Sequence, residues 1–478
     1  MLGGLAALSL DAMASVAYGP EAVVLVLAAA GTAGLGYALP VTGAIALLLA
    51  VLTLSYRQVI AAFPDGGGAY AVAKARLGRR ASLVAAAALV VDYVLNVAVS
   101  VAAGVAALTA AFPALLPYTV ELCLAVLAAI TAVNLRGVAH SARAFMLPTA
   151  VFVGSIVVVV AVGLAFTDGG AAPPQTTGAV GPLLLLKAFS NGCAALTGVE
   201  AIANAVPSFR APAVRRAQRT EVALGVLLAV MLLGIAALIA KYHIQPRPGS
   251  TVLAQITERA LGHGAGFYLV QVATAVLLAL AANTSFGGLP VLARLLAADH
   301  YLPHVFALRA DRQVYRYGVL VLAGASALLL VAARGSMNAL VPLFAIGVFV
   351  GFTIAQVGMV KHWRRYGRPA RGRLALNAVG AVLTATAAVV TTASKLASTP
   401  TAPAGARSRS SPRSSPATPG SACCATTAAP SSTARCAATP RRSSAGCDFA
   451  CPRDGRTQAR PGAARGRRRA HPGTWPPR

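Results

Sequence analysis

Charge is what this sequence has least of. Only 11% of its 478 residues are charged, and 13 of them are acidic. A soluble domain carries roughly 25% charged residues, so a freely soluble fold is excluded. Aromatic residues are scarce as well, at 6% of the chain. The Arg-rich end holds only Phe449 and Trp475, too few to build a stacking platform for nucleic acid. Five of the seven cysteines (Cys423, Cys424, Cys436, Cys447 and Cys451) lie in that C-terminal tail. Cys123 and Cys193 alone remain for the rest, so no disulfide framework is implied. The start lacks the basic leader of a cleavable signal peptide. P-D-G-G-G-A at 64–69 lacks the Lys-Ser/Thr of a phosphate-binding loop and reads as a tight turn. His243, His263, His300, His304 and His362 are scattered without metal-ligand spacing. These absences point away from an enzyme and imply no cofactor.

What is present is hydrocarbon: 57% of residues are hydrophobic and mean hydropathy is +0.70. The pattern predicts an all-α polytopic membrane protein with about eleven spans. They fall near 5–30, 40–62, 81–110, 117–135, 144–166, 183–206, 221–240, 265–284, 317–334, 337–360 and 374–394. Basic residues cluster in alternate loops: Arg57 to Arg80, Arg136 with Arg143, Arg210 to Arg219, Arg294 to Arg316, and Lys361 to Arg373. Loops 31–40, 111–116 and 167–182 hold no Lys or Arg. The positive-inside rule then predicts a multi-pass protein of the cell membrane with a cytoplasmic N-terminus. Loop 241–264, with Lys241, Arg247 and Arg259, runs against that pattern.

Three stretches break the apolar monotony. In S-L-D-A-M-A-S-V-A-Y-G-P-E, residues 9–21, Asp11 and Glu21 stand where hydrocarbon is expected, with Gly19-Pro20 between them. Pro20 donates no backbone hydrogen bond, so an interruption of the first span is expected there. The third span carries Asp92, Asn96 and Ser100 at i, i+4, i+8, one polar stripe that should face a cavity or another helix. Hydrogen bonding between helices would explain the Asn and Ser, but a carboxylate needs a partner or a proton. The sixth span, F-S-N-G-C-A-A-L-T-G-V-E, places Thr197 and Glu200 on one helical face, with Gly192 and Gly198 loosening the backbone. It looks like a second copy of the first-span device, five spans on. Such a pair points to a 5+5 inverted repeat with its site at mid-membrane, and to a secondary transporter. Carboxylates, hydroxyls and freed carbonyls are the oxygens a hard cation prefers.

These blocks, with S-Y-R-Q-V-I-A-A-F-P-D-G-G-G-A-Y at 55–70, closely resemble the KimA-type potassium transporters. That group lies in the amino acid–polyamine–organocation (APC) superfamily, near the KUP potassium uptake proteins. The resemblance covers roughly residues 1–396. It implies a LeuT-like fold with interrupted first and sixth spans, proton-coupled potassium uptake, and a homodimer. Carried over by position, it places the cation site on Asp11, Tyr18, Asp92, Ser100, Thr197 and Glu200, with Asn96 where a threonine is expected. Asp11, Asp92 and Glu200 are the candidates for the coupled proton. The partners implied are potassium, protons and the bilayer.

Two other readings stand beside this one. An amino acid permease of the same superfamily would cradle a substrate carboxylate, which the anionic lining repels. A transport-defective or scaffold membrane protein is the second. The chain divides into a transmembrane domain at 1–396 and an Arg/Ser/Pro-rich tail at 397–478, which the composition predicts to be disordered. That tail begins abruptly where the resemblance implies a further apolar span, so a frame-shifted or otherwise aberrant reading beyond about Lys395 is predicted. Its arginines would bind polyanions weakly, and no specific nucleic acid is expected.

Overall fold

The computed structural model describes residues 10–66, 68–136, 142–168, 180–307, 316–365 and 371–398. The tail reading falls outside the described residues, except that the last helix continues to Ser398. Among the described residues there is no strand, only an isolated bridge between Arg247 and Ser250. Ten segments among the described residues are long and apolar enough to cross a membrane. The predicted span at 317–334 corresponds to a helix of 17 residues, Arg316–Ala332. At 1.5 Å per residue that is about 26 Å, slightly short of a ~30 Å hydrocarbon core.

In order, the helices are α1 (Leu10–Leu27), α2 (Gly31–Leu35), α3 (Ala38–Ala62), α4 (Gly68–Arg76) and α5 (Arg79–Ala111). Next come α6 (Thr119–Leu135), α7 (Ala142–Ala165), α8 (Pro182–Gly192), α9 (Ala201–Asn204) and α10 (Ala213–Tyr242). The series closes with α11 (Val252–Leu261), α12 (Ala265–Ala298), α13 (Arg316–Ala332), α14 (Met337–Arg364) and α15 (Arg371–Ser398).

Burial sorts these spans into centre and periphery. The first span is 78% buried, whereas the segments at Pro113–Leu135 and Phe145–Ala165 are 11% and 22% buried. Lipid and apolar side chains are equally apolar, so helices associate in a bilayer through close contact of small residues and hydrogen bonds. The first span suits the centre because Ala12, Ala14, Ser15, Ala17 and Gly19 let neighbours approach it closely. It packs against α8, while the long pair α5 and α12 lies along each other and α14 covers α5. The pair α3 and α10 closes another side. Leu47, Leu147, Leu328 and Val389 stay exposed, as a lipid-facing surface requires.

Two expectations change here. The first span is not interrupted at Gly19-Pro20: α1 runs through both residues as one helix. Proline deletes a single hydrogen bond, and tight packing on every side compensates. The second concerns loop 241–264. Lys241 Nζ donates to the carbonyls of Gly163 (2.9 Å) and Leu164 (3.0 Å) at the end of α7. Arg259 donates to the Tyr242 carbonyl. Both cations therefore satisfy helix-end carbonyls rather than reporting topology.

Candidate functional site

The sixth span is where the helix comes apart. α8 ends at Gly192, a 3₁₀ turn covers Cys193–Leu196, and α9 resumes only at Ala201. Thr197 is extended, with ψ of 153°, and Gly198 has φ of +79°. Thr197 and Glu200 are thus presented by a four-residue break and do not share a helical face. The break frees backbone groups and points the two side chains at different neighbours.

Glycine is required at position 198 for a second reason. A Cβ there would lie 2.5 Å from the Ala12 nitrogen and 3.0 Å from Asp11 Oδ2. The Asp11 carboxylate therefore backs directly onto the break. Its Oδ1 is buried and has no hydrogen-bond partner. Four residues on, Ser15 Oγ donates within 2.7 Å of both the Ala12 and the Ala195 carbonyls, bridging the two spans. Tyr18 Oη lies 3.1 Å from Thr197 Oγ1, and its ring meets Phe344 edge-on with centroids 6.5 Å apart.

The third-span stripe faces inward, as its spacing predicted. Asn96 Nδ2 donates to Ser285 Oγ of α12 at 2.9 Å, and Ser100 Oγ donates to Asn96 Oδ1 at 3.2 Å. The Asn96 amide also interacts with the Asp11 carboxyl, so it ties α5 to both α1 and α12. Asp92 lines a cleft with Gly198, Glu200, Gly347 and Phe352. Tyr56 Oη donates to Glu200 Oε2 at 3.4 Å, its ring set edge-on against Phe352.

The structure therefore brings all seven sequence-predicted residues to the crossing of α1, α5 and the sixth-span break. Asp11, Asp92 and Glu200 interact electrostatically with one another. Among the described residues, no Lys or Arg takes part in those interactions. Glu21, the other first-span carboxylate, belongs elsewhere: it accepts from the Val252 N–H at 3.3 Å, at the start of α11. Ser15, Tyr56 and Ser285 were not singled out from sequence. A hydroxyl in a span is too common a signal to mark a site without knowing what lies opposite it.

The donor set is purely oxygen: carboxylates, hydroxyls, an amide and the carbonyls freed at the break. Arranged without a compensating cation, it can hold a desolvated monovalent cation or protons.

Comparison with known proteins places this geometry in context. The amino acid permease family matches residues 4–410. The potassium transporter KimA of Bacillus subtilis (strain 168) is 42% identical over 391 residues, which are 80% of this chain and 64% of that protein. The chain thus spans a little under two thirds of the length of that relative. Among solved structures, a manganese transporter of Eremococcus coleocola, in complex with an aromatic bis-isothiourea substituted compound, aligns with a TM-score of 0.48. The alignment has 13% identity and covers 82% of this chain and 85% of that one.

Proposed function

This chain belongs to the amino acid permease family, and from that premise we propose that it is a secondary transporter carrying potassium into the cell together with protons. The observation that carries the reading is the Asp11 carboxylate: one oxygen is buried without a partner, and the other packs on the Gly198 break. Hydroxyl and amide oxygens of Tyr18, Thr197, Asn96 and Ser100 surround this crossing. A buried carboxylate without a cationic side chain calls for a bound cation or a proton. The named activity of the Bacillus relative supports potassium as that cation.

Helix geometry divides the site. Asp92 and Ser100 are eight residues apart on α5, or about 12 Å along its axis. A single cation with oxygen contacts of roughly 2.5–3 Å cannot touch both. The seven residues thus make up at least two positions. One, at Asp92 and Glu200, opens on the cleft; the other lies at Asp11, Tyr18, Asn96, Ser100 and Thr197. A cation moving between them trades one carboxylate for another, and a carboxylate left behind can take up the coupled proton.

The family's description supports an amino acid as the rival cargo. Three carboxylates argue against it, because a zwitterion's own carboxylate would be repelled. The distribution of Lys and Arg supports a cytoplasmic N-terminus. The homodimer rests on the sequence resemblance and is tested by cross-linking in native membranes. The deciding experiment is growth of a bacterial strain lacking its own potassium uptake systems. The chain is expected to restore growth on limiting potassium, with alkalinisation of the medium accompanying uptake. Growth on a limiting amino acid without rescue on potassium would hand the assignment to the permease reading.

A further inference from the structure

A fourth carboxylate lies inside the membrane region, outside the site just described. Glu221 is on α10, fully buried, and neither of its oxygens has a hydrogen-bond partner. Its place relative to the cation site follows from helix register. The antiparallel helices α3 and α10 are pinned at two points. Position 225, a glycine, packs against Thr53, and Gln218 Nε2 donates to the Arg57 carbonyl at 2.9 Å. Between those pins, Glu221 falls at the level of Ser55 and Tyr56. The Tyr56 hydroxyl interacts electrostatically with Glu221 and donates to Glu200. On its other side, Glu221 precedes Val222 and Ala223, which line a cleft with Arg57, Arg215 and Arg219. By the topology rule that cleft is cytoplasmic.

Among the described residues, none on the helices packed on α10 pairs with a charge on Glu221. Of the helices packed on α10, α9 and the described side chains of α7 (Phe145 to Ala165) carry no titratable group. On α1, Asp11 and Tyr18 face the cation site and Glu21 binds the Val252 N–H. On α3, Arg57 is exposed toward the cleft. On α11, Arg259 is bonded to the Tyr242 carbonyl, and Glu258 lies 3.9 Å from His263. Leaving a group such as Glu221 charged and unpaired is costly, so an intramembrane carboxyl is by default a functional group, and proton relays are among its recurring roles.

We propose that Glu221 is the proton-carrying carboxylate between the cytoplasmic cleft and the cation site, exchanging its proton with Glu200 through Tyr56. The hydroxyl of Tyr56 already donates to Glu200, which leaves its oxygen lone pair free to accept. As the Glu221 O–H proton passes to Tyr56 Oη, directly or through one water, the original Tyr56 proton passes to the Glu200 carboxylate. One proton moves, Tyr56 ends neutral, Glu221 becomes a carboxylate and Glu200 a carboxylic acid. The reverse sequence unloads Glu200 toward the cleft.

The inference rests on the transporter reading, so its test has an arm that needs no transport. Purified protein is treated with dicyclohexylcarbodiimide, which labels protonated carboxyls in apolar surroundings, and Glu221 modification is read by mass spectrometry. Labelling is expected at neutral pH and should change when KCl or RbCl replaces NaCl. In proteoliposomes, Glu221→Gln should still bind potassium, read as thermal stabilisation by KCl, but lose most proton-driven uptake and its dependence on pH. Glu221→Asp should recover part of both. Absence of labelling at every pH, or a Glu221→Gln variant with wild-type uptake and pH profile, overturns the proposal. If the wild type carries no potassium while Glu221 labels and responds to cation, the potassium reading fails and the proton site stands.

Discussion

The first and sixth spans carry the same kind of sequence and end up with different backbones. The first has a proline in its middle and remains a single helix from Leu10 to Leu27. The sixth has no proline in the stretch and unwinds from Thr197 to Glu200. Proline removes one donor and one hydrogen bond, which a helix enclosed by neighbours survives. Gly198 instead adopts φ of +79°, a conformation no right-handed helix contains, and it is held there by contact with Ala12 and Asp11. What breaks a transmembrane helix here is the backbone approaching from the other span, not the residue with the strongest helix-breaking reputation.

The largest expected effect comes from forcing that contact apart. Gly198→Ala strains a left-handed backbone and drives a methyl into Ala12, a cost of about 3 kcal/mol or more. Little folded protein should survive detergent extraction. Pro20→Ala is the counterpart: it restores one donor to an existing helix, and melting should be unchanged or slightly raised. If Pro20→Ala unfolds the protein and Gly198→Ala does not, the comparison is reversed.

Next in size is Asp11→Asn, which keeps the shape on the α1 side but removes the charge facing the break. Potassium uptake should be lost while the protein inserts and extracts normally. Wild-type uptake in this variant, and in Asp92→Asn and Glu200→Gln as well, would place the cation elsewhere. Smaller effects belong to the neutral oxygens. Ser15→Ala removes the bridge between spans and should lower stability by about 0.6–1 kcal/mol in a detergent melt. Ser100→Ala should weaken potassium affinity by a similarly modest amount, read as a raised half-saturation concentration with the maximal rate retained.

The smallest effect lies outside the span pair, where Asp299 caps the end of α12. Lys74 Nζ (2.7 Å) and Tyr70 Oη (2.6 Å) both donate to its Oδ2, and these hydrogen bonds hold its carboxyl below the usual carboxylate range. A lowered pKa in the folded state gives stability that is fully present above the unfolded carboxylate value of about 4 and is lost as pH falls on through the lower folded value. The groups are well exposed, so the contribution is under about 1 kcal/mol and fades with salt. Melts between about pH 6 and pH 2 should show the separation of Lys74→Met from wild type shrinking toward the acid end. A difference that persists at the acid end would assign the stabilisation to packing rather than to the ion pair.

Much of this was legible in the chain itself. Hydropathy and length alone decide that the protein is a set of spanning helices, because a bilayer leaves the backbone few other ways to satisfy its polar groups. A spacing of four along one span decides that Asp92, Asn96 and Ser100 share a face, since helical periodicity allows nothing else. The rarity of carboxylates among apolar residues likewise singles out Asp11 and Glu200.

Other features depended on which spans meet. Sequence order does not say that Tyr56 reaches Glu200 across 144 positions, or that Ser285 answers Asn96 across 189. Nor does it separate Glu21, which binds the first N–H of a helix, from Asp11, which meets the break, although both are lone acids in one span. Glu221, close after Arg215, Arg216 and Arg219, reads in sequence as an interfacial acid among basic residues. The packing of α3 and the other neighbouring helices on α10 seals it from water. Residue type sets what a group needs; the neighbours that the fold supplies decide whether it gets a hydrogen bond, a cation or a proton.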